Sequence, residues 1–175
     1  MKQPKIAIIV ALVAAAALLR FVPHPPNFAP IAAMALFAGA HLRDRRFAFA
    51  LPLAAMALSD LFIGLHSALL LVYVCMAISV VIGMQLQQRI RPLTVAGASV
   101  LSSILFFTIT NFGVWLATGM YPATLSGLLA CYTAALPFFH NTALGDALYS
   151  ALLFGGYALY CKTARRRQAQ ALGST

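Results

Sequence analysis

Apolar residues run almost unbroken through six stretches, about 6 to 20, 28 to 42, 47 to 65, 68 to 88, 95 to 119 and 143 to 161, each bounded by charge or by Pro and Gly. Runs of this length predict membrane-spanning helices, which need about 20 apolar residues each. A seventh apolar stretch, from Tyr121 to Phe139, opens Tyr-Pro and closes Pro-Phe-Phe-His-Asn. Only about 14 residues separate Pro122 from Pro137, too few for an ordinary crossing, so a re-entrant or interfacial segment is expected over about 122–138. The expected fold is all-α: one integral membrane domain over 1–175, a polytopic transmembrane helical bundle of six spans plus that short insert.

Composition strengthens this expectation. Of 175 residues, 62% are hydrophobic and 9% charged, which leaves too little polar surface for a compact globule in water. Twelve Lys and Arg face three Asp and Glu, a balance that on a soluble domain suggests nucleic acid. Position decides otherwise. Lys2 and Lys5 precede the first stretch, Arg43, Arg45 and Arg46 follow the second, Arg89 and Arg91 the fourth, and Lys162, Arg165, Arg166 and Arg167 the sixth. Basic loops therefore alternate with non-basic ones, leaving Arg20 as the lone cation on the other side, and the basic side is expected to be cytoplasmic with both termini inside. Nucleic acid needs no invoking.

The first stretch also resembles a secretory signal peptide, a short basic head followed by apolar residues. Arg20 and the Pro-rich segment after it argue against cleavage. Ala7, Ala11 and Ala15 give the small-xxx-small spacing by which membrane helices approach closely, so a retained packing helix is expected.

Ionisable residues inside a membrane are costly and tend to cluster or pair. On the outer side, this topology collects Arg20, His24 and Asn27 around the first crossing, Asp60 and His66 at the end of the third, and Asn111 with Trp115 late in the fifth. Tyr121, His140, Asn141, Asp146 and Tyr149 flank the insert and open the sixth. Asp60 reads as a ligand contact or proton site, as the ion-pair partner of Arg20, or as both at once. Asp146 reads as a helix N-terminal cap or as part of the site. Ser99, Ser103, Asn111 and Trp115 recur at steps of four or eight and so share one helix face, for interhelical hydrogen bonding or for a ligand. Pro23, Pro25, Pro26 and Pro30 stiffen the connection that presents His24 and Asn27, and Asn27 serves recognition there or caps the next helix.

His24, His66 and His140 with the two aspartates have the chemistry of a metal site, but none of them has the spacing of a helical metal motif. Cys75, Cys131 and Cys161 lie far apart in apolar runs, without metal-ligand or disulfide spacing. No resident cofactor is expected.

Two strings carry a resemblance: Pro-Asn-Phe-Ala-Pro-Ile-Ala-Ala-Met-Ala-Leu-Phe-Ala-Gly-Ala from Pro26, and Leu-Pro-Leu-Ala-Ala-Met-Ala-Leu-Ser-Asp-Leu-Phe-Ile-Gly from Leu51. With Thr-Asn-Phe-Gly-Val-Trp at 110–115 and Phe-Phe-His-Asn-Thr-Ala-Leu-Gly-Asp at 138–146, the chain resembles an uncharacterised family of small bacterial six-helix membrane proteins. More distantly, and chiefly over 26–64, it resembles the substrate-binding S-components of energy-coupling-factor vitamin transporters. That resemblance implies a multi-pass bundle in the bacterial inner membrane that captures a vitamin-like micronutrient near its outer face. It also implies docking on a transmembrane coupling subunit with ATPases, for which the Ala7, Ala11 and Ala15 face is suited. In a related cobalamin-transporting branch a cysteine thiolate ligates cobalt, and Cys75 is the corresponding candidate by depth.

The leading expectation is thus a solute-binding or uptake protein, not an enzyme. Its candidate ligand-binding residues are Arg20, His24, Asn27, Asp60, His66, Asn111, Trp115, His140, Asn141 and Asp146. Its expected partners are the lipid bilayer, a small-molecule substrate and the coupling subunit. An intramembrane His/Asp enzyme, with or without a metal, and a structural or assembly protein without a small ligand are the alternatives.

Overall fold

The computed structural model describes residues 6–64 and 68–172. Lys2, Lys5 and His66 lie outside the described residues. Among the described residues there are six α-helices and no strand. These are α1 (Ile6–Leu18, extended by a 3₁₀ turn over Leu19–Phe21), α2 (Ile31–His41), α3 (Arg45–Ile63), α4 (Leu69–Gln85), α5 (Pro92–Ala117) and α6 (Leu125–Leu172).

The second apolar run folds as a helix of 11 residues, about 16 Å at 1.5 Å per residue against the roughly 30 Å of a bilayer core. It is the hub of the bundle. Every residue from Ala32 to Ala40 is buried, and α2 touches each of the other five helices, which close a ring around it in the order α1, α3, α4, α5, α6. A helix that is apolar all round must be enclosed by something, and here protein encloses it. Of the described helices, α3 and α5 are long and apolar enough to cross a membrane, whereas α1 with its 3₁₀ turn, α2 and α4 are shorter apolar helices.

The closest crossing in the core is between α2 and α4. A Cβ on Gly39 would run into the Val80 carbonyl, and one on Gly83 into the Leu36 carbonyl. Ala35 and Gly39 on one helix, and Ser79 and Gly83 on the other, each have the small-xxx-small spacing expected of α1. On α1 those small residues do not pack within the chain: Ile9, Val13, Ala16 and Ala17 face inward, while Ala7, Ala11 and Ala15 are exposed. Gln87 fastens the other end of α2, donating from Nε2 to the carbonyls of Gly39 (2.9 Å) and Leu42 (3.0 Å), which the helix end leaves open.

The separate insert over 122–138 is not observed. Residues 125–172 form one continuous helix of 48 residues, about 72 Å long. Pro137 removes the N–H that would bond the Thr133 carbonyl, yet the helix continues through it. Antiparallel packing on α5 supports both halves. Tyr132 Oη donates to the Thr108 carbonyl at 2.6 Å, and Cys131 Sγ to the Asn111 carbonyl at 3.4 Å. Further along, Ser103 Oγ donates to Asp146 Oδ2 at 2.6 Å.

Candidate functional site

The helices run alternately up and down, so the starts of α2 and α4 and the ends of α3 and α5 meet at one end of the bundle. A cavity of about 440 Å³ lies there, over the amino end of α2. Arg20, His24 and Asn27 line it from the α1–α2 connection, and Ile31 and Ala32 form its floor. Phe106, Phe107, Thr110, Asn111 and Val114 of α5 and Ala135, Phe138, Thr142 and Asp146 of α6 supply the walls. Five of the expected residues, Arg20, His24, Asn27, Asn111 and Asp146, therefore come together.

Asp60 stands immediately behind this wall. Its Oδ1 accepts from Arg20 Nη2 at 2.6 Å and its Oδ2 from Tyr73 Oη at 3.0 Å. Arg20 Nη1 also donates to Ser59 Oγ and, at 3.3 Å, to the Met56 carbonyl. The ion pair of Asp60 with Arg20 is formed, and Asp60 itself does not line the cavity. The pair leaves the Arg20 guanidinium lining the cavity with its charge already matched. Of the fixtures here, Tyr73 gave no sequence signal, because a lone Tyr in an apolar run reads equally well as core.

Asp146 is 2% exposed and lies well inside α6, so it is not the N-terminal cap that a helix starting near residue 143 would have made it. Its hydrogen bond from Ser103, whose hydroxyl proton is shared with the Ser99 carbonyl 3.1 Å away, ties it to the polar stripe read from α5. The capping carboxylate is Asp44, which accepts from the Arg46 N–H at 2.8 Å at the start of α3. Asn27 is not the cap of α2 either. It takes a left-handed φ of 63° in a turn closed by the Phe28 N–H and the Pro25 carbonyl, 3.0 Å apart. Pro at the second and Asn at the third position suit such a turn.

Other expected residues serve as struts. Asn141 Nδ2 donates to the Pro26 carbonyl at 3.0 Å, pinning the Pro-rich connection to α6. Beside it, a Cβ on Gly145 would touch Phe28 Cα at 3.3 Å, so the small residue permits that approach. Trp115 Nε1 donates to the Pro122 carbonyl at 2.9 Å, bracing the α5–α6 turn. His140 is exposed and Cys75 is buried, and neither lines the cavity. Among the described residues no three His, Cys, Asp or Glu side chains gather as a metal site would require.

A second cavity of about 410 Å³ lies between the start of α5 and the later part of α6, with Arg91 and Ser150 among its lining. The Ser150 hydroxyl is buried without a hydrogen-bond partner. Nothing in the apolar pattern announced it.

No curated protein and no solved structure matches the chain. A family model does match, over residues 1–171, and the chain therefore belongs to the family of unknown function DUF6580.

Proposed function

We propose that the protein is an integral membrane protein that captures a small solute in the cavity over α2 and passes it inward. The observation that carries this is the cavity itself. Its volume lies in the range of small-molecule sites, and it joins apolar walls to seven polar side chains drawn from separate parts of the chain. Support for a membrane setting comes from the lengths of α3 and α5 and from large apolar side chains left outward, such as Leu61, Phe62, Leu70 and Leu93. The alternation of basic loops supports placing the cavity end outside and both termini in the cytoplasm.

The resemblance to S-components enters this proposal as a reading of the sequence, with a vitamin-like micronutrient as cargo. The chain carries no Walker A sequence, so energy for release would come from a coupling subunit with ATPases, docked on the exposed Ala7, Ala11 and Ala15 face of α1.

Native mass spectrometry with small-molecule identification on gently purified protein tests the reading. Thr110 is half-buried on the cavity wall, so Thr110→Trp fills the space. The expected result is a defined solute on the wild type that is absent from Thr110→Trp. Lipid alone on both, including preparations offered a vitamin panel, would remove the basis of the proposal.

A further inference from the structure

The polar groups around the cavity over α2 are unevenly spent. The Phe107 carbonyl only accepts, so the 2.8 Å bond to it fixes Asn111 Nδ2 as donor and leaves the Oδ1 acceptor uncommitted. Thr110 Oγ1 donates to the Phe106 carbonyl at 2.7 Å and Thr142 Oγ1 to the Phe138 carbonyl at 3.2 Å, leaving hydroxyl lone pairs. Arg20 uses three N–H bonds on Asp60, Ser59 and Met56. The wall thus offers acceptors, and both threonine hydroxyl protons and one Asn111 N–H are taken by the protein's own backbone.

Charge points the same way. The one ion pair among the described residues is Arg20–Asp60, so Asp146 lines the cavity with no cationic partner and a single hydrogen bond, from Ser103. The amino end of α2 also opens here, without a side-chain cap. Its dipole is worth about half a positive charge, which does not balance a full carboxylate. Phe106, Phe107 and Phe138 add aromatic surface to the same walls, and aromatic faces attract cations.

We infer that the solute of this cavity carries a protonated amine, whose ammonium group pairs with Asp146 and donates to Asn111 Oδ1 while its apolar part lies against the phenylalanines. This deepens the solute-binding reading and rests on it.

Three near-isosteric probes decide the matter by equilibrium dialysis against the full chain in lipid nanodiscs, with empty nanodiscs as blank: phenethylammonium, neutral 2-phenylethanol and anionic phenylacetate. The expected result is phenethylammonium bound at least about tenfold more tightly than either of the others, as an ammonium held by carboxylate and aromatic groups requires. That preference should fall to within about twofold in Asp146→Asn, where the charge is gone. The wild-type ranking needs no variant. Should Asp146→Asn fail to fold, Asn111→Ala is the second variant, expected to weaken phenethylammonium about threefold through one lost hydrogen bond. Equal or tighter binding of phenylacetate or 2-phenylethanol overturns the inference, as does an ammonium preference unchanged in Asp146→Asn. If the favoured probe is then displaced by Thr110→Trp, solute capture survives and only the ammonium is refuted. If no probe responds to Thr110→Trp, both readings fall.

Discussion

Arg20 and Asp60 stand 40 residues apart in the chain and 2.6 Å apart in space, with side chains only 8% and 2% exposed. Removing one partner of a buried pair strands the other charge, at about 3–5 kcal/mol, whereas replacing both with apolar residues is far milder. Arg20→Leu and Asp60→Leu are each expected to lower the thermal unfolding midpoint more than the double variant does. A double-mutant cycle in detergent measures this, and additive losses would mean the two charges do not depend on each other.

Ser59 and Tyr73 complete the setting of that pair, and Tyr73→Phe isolates the contribution of one hydroxyl. It deletes the donor to Asp60 Oδ2 and nothing else the side chain bonds. A loss of about 1–3 kcal/mol is expected for a hydrogen bond to a charged group. Denaturant titration reads it, and an unchanged midpoint would show that the bond is not made in solution.

The crossing of α2 and α4 has no room for a methyl group. Gly39→Ala would place its Cβ against the Val80 carbonyl, a backbone atom that cannot swing aside, and a loss of about 1–3 kcal/mol or more is expected from overpacking. Gly97→Ala and Gly156→Ala serve as controls, since nothing lies within 4 Å of either added Cβ. At those helical sites alanine should be neutral or stabilise by up to about 1 kcal/mol. Comparable damage at all three positions would remove the close crossing as the cause.

Continuity of α6 is measurable as a distance. Leu129 and Leu159 are both exposed, at 60% and 63%, and in one uninterrupted helix their backbones lie about 45 Å apart. Spin labels at these positions, with Cys75, Cys131 and Cys161 replaced, should report that separation by pulsed electron resonance. A distance below about 30 Å, two thirds of the helical length, would restore a folded-back insert at 122–138.

Gln87 closes the carboxyl end of α2 with two hydrogen bonds to its last carbonyls. Gln87→Ala leaves both without partners at about 1 kcal/mol each. Hydrogen exchange should show faster opening of the last turn of α2, and unaltered protection there would count against the capping role.

Much of this architecture was legible from local chemistry. Six apolar runs give six helices because an apolar stretch has to bury its backbone polar groups within itself whether its surroundings are lipid or protein. The opposite ends taken by the basic clusters and by Arg20, Asn27, Asn111 and Asp146 also follow from the alternation of runs and charges. The Arg20–Asp60 pair was legible as one of two readings, since a lone cation and a carboxylate at the same depth have few other partners.

What only the tertiary structure decided is the meaning of each run. α2 and a membrane span share one composition, because apolarity records that a helix is covered and not what covers it; only its ring of five neighbours makes it a core. Pro122 and Pro137 argued for a separate insert because proline weakens a helix locally, yet packing along α5 carries α6 through residue 137. Asp146 read as a cap while a helix was taken to begin near it, and it became a wall of the cavity once Ser103 faced it across that same packing. Sequence specified which groups needed partners, and helix rotation, which the local pattern leaves free, chose them.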